Sequence, residues 1–103
     1  MEKRSQSEME LRLLSRGFHV LRSVLRLRIL AVLSKGESNV RDLETELRVS
    51  QPLLSWHLTQ LRQAGFVEAE RVGREVRYRI VRTAFQELVD GMEKVLDLGS
   101  SKI

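Results

Sequence analysis

The stretch VSQPLLSWHLTQLRQAGFV, Val49 to Val67, separates into two faces when read at helical spacing. Leu54, Leu58 and Leu61 stand at i, i+4 and i+7 and form an inner, buried stripe. The other sides carry Gln51, Pro52, Leu53, Ser55, Trp56, Thr59, Gln60 and Arg62. A helix that only packs does not need such a face. Its groups suit the edges of base pairs instead. Gln51 can pair bidentately with adenine N6 and N7, Ser55 can donate or accept, and Leu53 and Trp56 can touch thymine methyls or sugar edges. Packing against a neighbouring apolar gap is the competing role for Leu53 and Trp56.

A second cluster follows. Arg71, Arg74, Arg77 and Arg79 surround one glycine-containing tip, Gly73–Arg74. The planar guanidinium fork suits phosphate and narrow minor grooves better than lysine does. Glu75, beside the tip, opposes that charge.

Other chemistry is sparse. There is no cysteine, so disulfides, thiol redox sensing and thiolate metal sites are excluded. His19 and His57 fall on different expected elements, with no nucleophile–base arrangement and no glycine-rich phosphate loop, so an enzyme is not expected. His57, at the rim of the leucine stripe, reads as a half-buried histidine bonded inside the domain. His19 is the best metal candidate, and only across a two-fold axis with nearby carboxylates. Nickel or zinc would be held weakly by such oxygen-rich ligation, and no cofactor is required.

These side chains need a scaffold, and periodicity supplies one. A mobile arm is expected over residues 1–8, a domain over 9–98 and a frayed end over 99–103. The first helix runs from Met9 through Leu11, Leu14, Phe18 and Leu21, with Gly17 weakening or bending it. The second carries Leu25, Ile29, Leu30 and Leu33, with Arg22, Arg26 and Arg28 interleaved, and ends at the SKGESN turn. Asn39 caps a third helix with Asp42 at N3, burying Val40, Leu43 and Leu47. After the turn Arg48–Val49–Ser50, Ser50 caps the fourth helix, Pro52 is tolerated in its first turn, and Gly65 ends it. Alternation from Val67 to Ile80 predicts a β-hairpin. Thr83 and Gln86 have capping-box spacing for a last helix that Gly99 closes. The fold expected is mainly α with a β-hairpin wing, a winged helix-turn-helix in the order α-α-α-α-β-β-α.

Charge agrees with that plan. The net charge is +4, and 14 of the 18 basic residues are arginine. Residues 48–82 alone hold seven basic and three acidic side chains, while residues 83–103 hold two and four. A basic middle beside an acidic tail is the footprint of a polyanion partner. No secretory signal or transmembrane run is present, so a cytoplasmic location without membrane contact is expected.

From about Leu21 to Ile80 the chain resembles the ArsR/SmtB family of bacterial winged-helix repressors. The RLRILAVL helix, the VSQPLLSWHLTQLRQAGFV helix and the R-x-G-R-x-V-x-Y-x-I wing carry the resemblance. It implies a homodimer, built mainly from the first and last helices, on an inverted repeat of double-stranded DNA in a promoter. It also implies that Gln51, Pro52, Ser55 and Trp56 sit where the family reads bases, with Arg74 at the wing tip. Two departures stand out. The family's D-P-T-R motif is here Ser23–Val24–Leu25–Arg26. Its sensing ligands are missing: there are no thiols, and the last-helix ligand positions read Ala84, Val95 and Leu98.

The DNA-contacting set expected is therefore Gln51, Pro52, Leu53, Ser55, Trp56, Thr59, Arg62, Arg71, Arg74 and Arg77. The dimerisation set pairs Leu11, Leu14 and Phe18 with Phe85, Leu88, Met92 and Val95 of a second protomer. The alternative is a winged-helix protein–protein interaction module, in which Leu53, Trp56 and the wing dock on a regulatory protein partner.

Overall fold

A computed structural model describes residues 7–97 as five helices and one small sheet, in the order α1 (Glu8–Val20), α2 (Val24–Leu33), β1 (Ser38–Asn39), α3 (Val40–Leu47), α4 (Gln51–Gln63), β2 (Val67–Val72), β3 (Glu75–Ile80) and α5 (Arg82–Leu96). The expected winged helix-turn-helix order is present, with one strand added. Residues 1–6 of the arm and the whole frayed end expected from sequence, Gly99 included, lie outside the described residues.

Short polar side chains start three of the helices. Ser7 and Glu10 form a reciprocal capping box on α1, so Ser7 and Glu8 belong to the helix start rather than to an arm. Ser23 Oγ accepts from the Arg26 amide, and Asn39 Oδ1 accepts from the Asp42 amide as its spacing predicts. Ser50 occupies the cap position of α4 but makes no side-chain cap bond. The expected Thr83–Gln86 box on α5 is absent. The Val81 amide is already bonded to the Phe66 carbonyl at 2.9 Å, and the Arg82 guanidinium reaches the Ser34 carbonyl. Those two bonds fix where the chain leaves the sheet, so α5 begins at Arg82, and Gln86 bonds Asp90 one turn on instead.

The SKGESN segment is more than a turn. Ser38 and Asn39 pair with Tyr78 and Arg77, making a three-stranded antiparallel sheet in the order β1-β3-β2. The β2–β3 loop is Gly73–Arg74, and Gly73 at φ 66 supplies the positive angle that a two-residue hairpin needs at its first position.

The core is Ile29 and Leu33 from α2, Leu43 from α3, and Leu54, Leu58 and Leu61 from α4, all fully buried and joined by Leu30, Val20, Phe66 and Val67. Gly65 at φ 86 lets the Phe66 amide bond back to Leu61 and its own amide to Arg62, the Schellman closure of α4. That closure turns Phe66 into the core and aims β2 outward.

Helix α1 runs unbroken through Gly17. That glycine lets α1 approach α5, since a methyl group there would stand 2.8 Å from Leu88 Cδ1. Gly91 does the same opposite Leu14, and Lys94 meets Glu10 at 3.5 Å. The first and last helices thus run antiparallel against each other within one chain. Leu14, Leu88 and Phe85, the last tilted on Phe66 at 4.7 Å, are engaged inside the protomer rather than wholly reserved for a second one.

Candidate nucleic-acid interface

The turn between α3 and α4 depends on an unusual residue. Arg48 caps α3 in the left-handed region at φ 57, where glycine or asparagine is commoner. Ser50 then returns to extended backbone and α4 starts across α3. With Leu54, Leu58 and Leu61 wholly buried, the direction of the opposite face is set by packing. Gln51, Pro52, Leu53, Trp56, Thr59 and Arg62 are exposed and Ser55 is half-buried. Leu53 keeps 45% and Trp56 55% of its surface open, so neither fills a gap in this chain's core.

Hydrogen bonds organise that face. Gln51 Nε2 donates to Ser55 Oγ at 2.7 Å, and Thr59 Oγ1 donates to the Ser55 carbonyl at 2.9 Å. A primary amide has two N–H donors and one acceptor oxygen. Ser55 occupies one donor, which leaves Gln51 the donor–acceptor pair that adenine's N7 and N6 require.

The wing arginines divide into two kinds. Arg77 donates from Nε to Glu37 at 2.9 Å and from NH1 to Glu75 at 2.9 Å. Arg79 holds Glu68 and Glu70 in the same way, at 3.0 Å each. Glu75 also accepts from Asn39 Nδ2 at 3.0 Å, which ties the hairpin to the start of α3. Donation to Glu37 and then to Glu75 raises the Arg77 pKa above its ordinary value, and donation to Glu70 and then to Glu68 does so for Arg79. Arg77, expected as a DNA contact, is committed to these carboxylates. Arg71, Arg74 and Arg62 are exposed and have no ion-pair partner among the described residues.

Arg26 is the residue that sequence reading passed over. Only 9% exposed, it donates from Nε to His57 Nδ1 and from NH1 to the Val20 carbonyl, both at 3.0 Å. Its guanidinium carbon lies 5.2 Å from the centre of the Trp56 ring, and His57 meets the same ring edge-on at 4.9 Å and 74°. Burial first, and the Arg26 charge second, push the His57 pKa below its usual value. The signal was present: Arg26 shares helical spacing with Ile29, Leu30 and Leu33, which marks the buried side of α2.

His19 is exposed on α1, and no group of three or more His, Asp or Glu side chains able to hold a metal occurs among the described residues. Within one chain the described residues thus assemble no zinc or nickel site, and a site at His19 would need ligands from a second copy. No helix among the described residues is long and apolar enough to cross a membrane.

Known proteins share this architecture. Residues 23–69 match the family model described as bacterial regulatory protein, arsR family. A biofilm growth-associated repressor of Agrobacterium fabrum is 34% identical over 67 residues, 65% of this chain, and the match spans only 57% of that protein's length. The structure of an ArsR-like transcriptional regulator from Rhodococcus sp. RHA1 superposes with a TM-score of 0.79 at 29% identity, over 87% of this chain and 85% of that one. That of M. tuberculosis Rv0081 gives 0.70 at 32% identity, over 92% of this chain and 96% of the other. With the matched segment covering the whole helix-turn-helix and the start of the wing, residues 23–69 form a helix-turn-helix domain of the ArsR family of bacterial regulatory proteins.

Proposed function

We propose that this chain is a cytoplasmic, sequence-specific transcriptional repressor that binds an inverted repeat in promoter DNA as a homodimer and has no enzymatic activity. The observation that carries the reading is the outer face of α4, where Gln51, Ser55 and Trp56 are held outward by three wholly buried leucines. Gln51, Pro52, Leu53, Ser55 and Trp56 read the major groove. Thr59 and Arg62 follow the backbone, and Arg71 and Arg74 reach phosphate or minor groove from the wing. Arg77 serves that wing by holding Glu37 and Glu75. The named repressor among the relatives supports the sign of the regulation.

Substitution separates readout from attraction. Gln51→Ala is expected to lose about 1–3 kcal/mol of discrimination at one base pair. Arg74→Ala should weaken cognate and random duplexes alike and flatten the salt slope by about one. If both variants lowered affinity for every sequence equally, α4 would not be the reading helix.

The homodimer rests on what α1 and α5 leave uncovered. Leu11, Phe18, Val89 and Val95 stay exposed, and Met92 half-exposed, after the two helices have packed on each other. A two-fold axis through that surface would set the two α4 helices one DNA turn apart, roughly 34–36 Å. Sedimentation equilibrium at micromolar concentration should give twice the chain mass of 11.9 kDa, and the monomer mass throughout would overturn this assembly. The second reading, docking on a regulatory protein, draws on the exposed Leu53 and Trp56.

A further inference from the structure

Arg26 is costly where it stands. A buried arginine is ordinarily matched by a carboxylate, and none bonds to this one among the described residues. Its position on the inner stripe of α2 would suit methionine or leucine, and such replacements of buried charge are often neutral or stabilising. Stability therefore does not explain the residue. Its partners do. It donates to the imidazole of His57 and lies against the indole of Trp56, two neighbours on α4, while its other end is anchored on the Val20 carbonyl at the end of α1.

We propose that Arg26 is a positioning residue for DNA readout, fixing the exposed indole of Trp56 from the protein side so that it meets the groove in one orientation. The inference rests on α4 being the reading helix. Because Nδ1 of His57 accepts the Arg26 Nε–H, the neutral imidazole carries its proton on Nε2. The ring is thereby held edge-on to Trp56 at 4.9 Å. Cation and imidazole together hold the inner side of an indole whose outer side is open. An indole restrained before binding loses less rotamer freedom on complex formation.

Trp56 is the single tryptophan of the chain, so indole fluorescence reports the surroundings of that one ring. The test uses the full chain and a duplex enriched by the wild-type protein from a random-sequence pool. Arg26→Met is expected to bind that duplex about tenfold more weakly, with affinity for random duplexes and the unfolding midpoint little changed. Trp56 emission should shift and its anisotropy fall. His57→Gln keeps an acceptor for the Nε–H but loses the ring edge, and is expected to bind the enriched duplex about threefold more weakly, between wild type and Arg26→Met. Should Arg26→Met fail to fold, His57→Leu, which removes the acceptor and leaves the arginine, is expected to show the same loss.

Wild-type affinity for the enriched duplex in Arg26→Met, or equal weakening on enriched and random DNA, would overturn the inference. If Trp56→Ala and Gln51→Ala are impaired at the same time, the reading of α4 survives without it. If those two also bind as wild type, or the pool yields no enriched duplex, both fall together.

Discussion

Raising monovalent salt from 50 to 200 mM is expected to weaken duplex binding about a thousandfold. Each protomer offers Arg62, Arg71 and Arg74 without a carboxylate partner, so a dimer would neutralise about six phosphates. Release of their counterions gives log K against log salt a slope near −5. Arg77 and Arg79 do not enter that count, because Glu37, Glu75, Glu68 and Glu70 already hold them. Counting every wing arginine as free would predict a steeper slope. Apolar docking of Leu53 and Trp56 on a protein would leave affinity almost unchanged over the same range. Fluorescence anisotropy of a labelled duplex at four salt concentrations separates the cases, and a slope shallower than about −2 would remove DNA as the partner.

Leu58→Ala should cost about 2–5 kcal/mol, a large share of the roughly 5–15 kcal/mol that holds a domain of this size together. Leu58 is fully buried between Leu54 and Leu61, so the lost methyl groups leave a cavity under the middle of α4. Leu53→Ala, on the open side of the same helix, should stay within about 0.5 kcal/mol. Urea unfolding of both variants at one protein concentration measures the contrast, the concentration being fixed because the proposed dimer would itself add stability. Equal costs at the two positions would mean that α4 is not seated on its leucine stripe.

What sequence made legible here depended on the range of the interactions involved. Leu54, Leu58 and Leu61 could be assigned by spacing alone, because a helix with one apolar stripe has one way to bury it. Asn39 and Gly65 were equally readable, since a cap and a left-handed closure are made by neighbours in the chain. Apart from the capping box that draws Ser7 and Glu8 into α1, and the side-chain cap bond that Ser50 does not make, the failures are long-range. Strand β1 is two residues long and exists only because β3 pairs with it. Thr83 lost its capping role to the bond between Val81 and Phe66, 15 positions apart. Gly17 looked like a weakness until α5 was placed against it. In the site, the division of the wing arginines into occupied and free required knowing which carboxylates face them. Arg26 was hidden because a charge within an apolar helix is read first as surface.

Strand β2 ends the sheet on one side, so one edge of its backbone faces outward without a ladder partner. Open edges of this kind are templates for intermolecular sheet growth and aggregation. Here the exposed positions along that strand are Glu68, Glu70, Arg71 and, at its end, Val72, and the strand is only six residues long. A second wing approaching edge to edge would bring Glu68 and Glu70 against their own copies. Like charges facing each other across a strand pair destabilise it. The carboxylates that hold Arg79 therefore also act as gatekeepers, keeping the wing a sheet that stops at three strands when many copies crowd together.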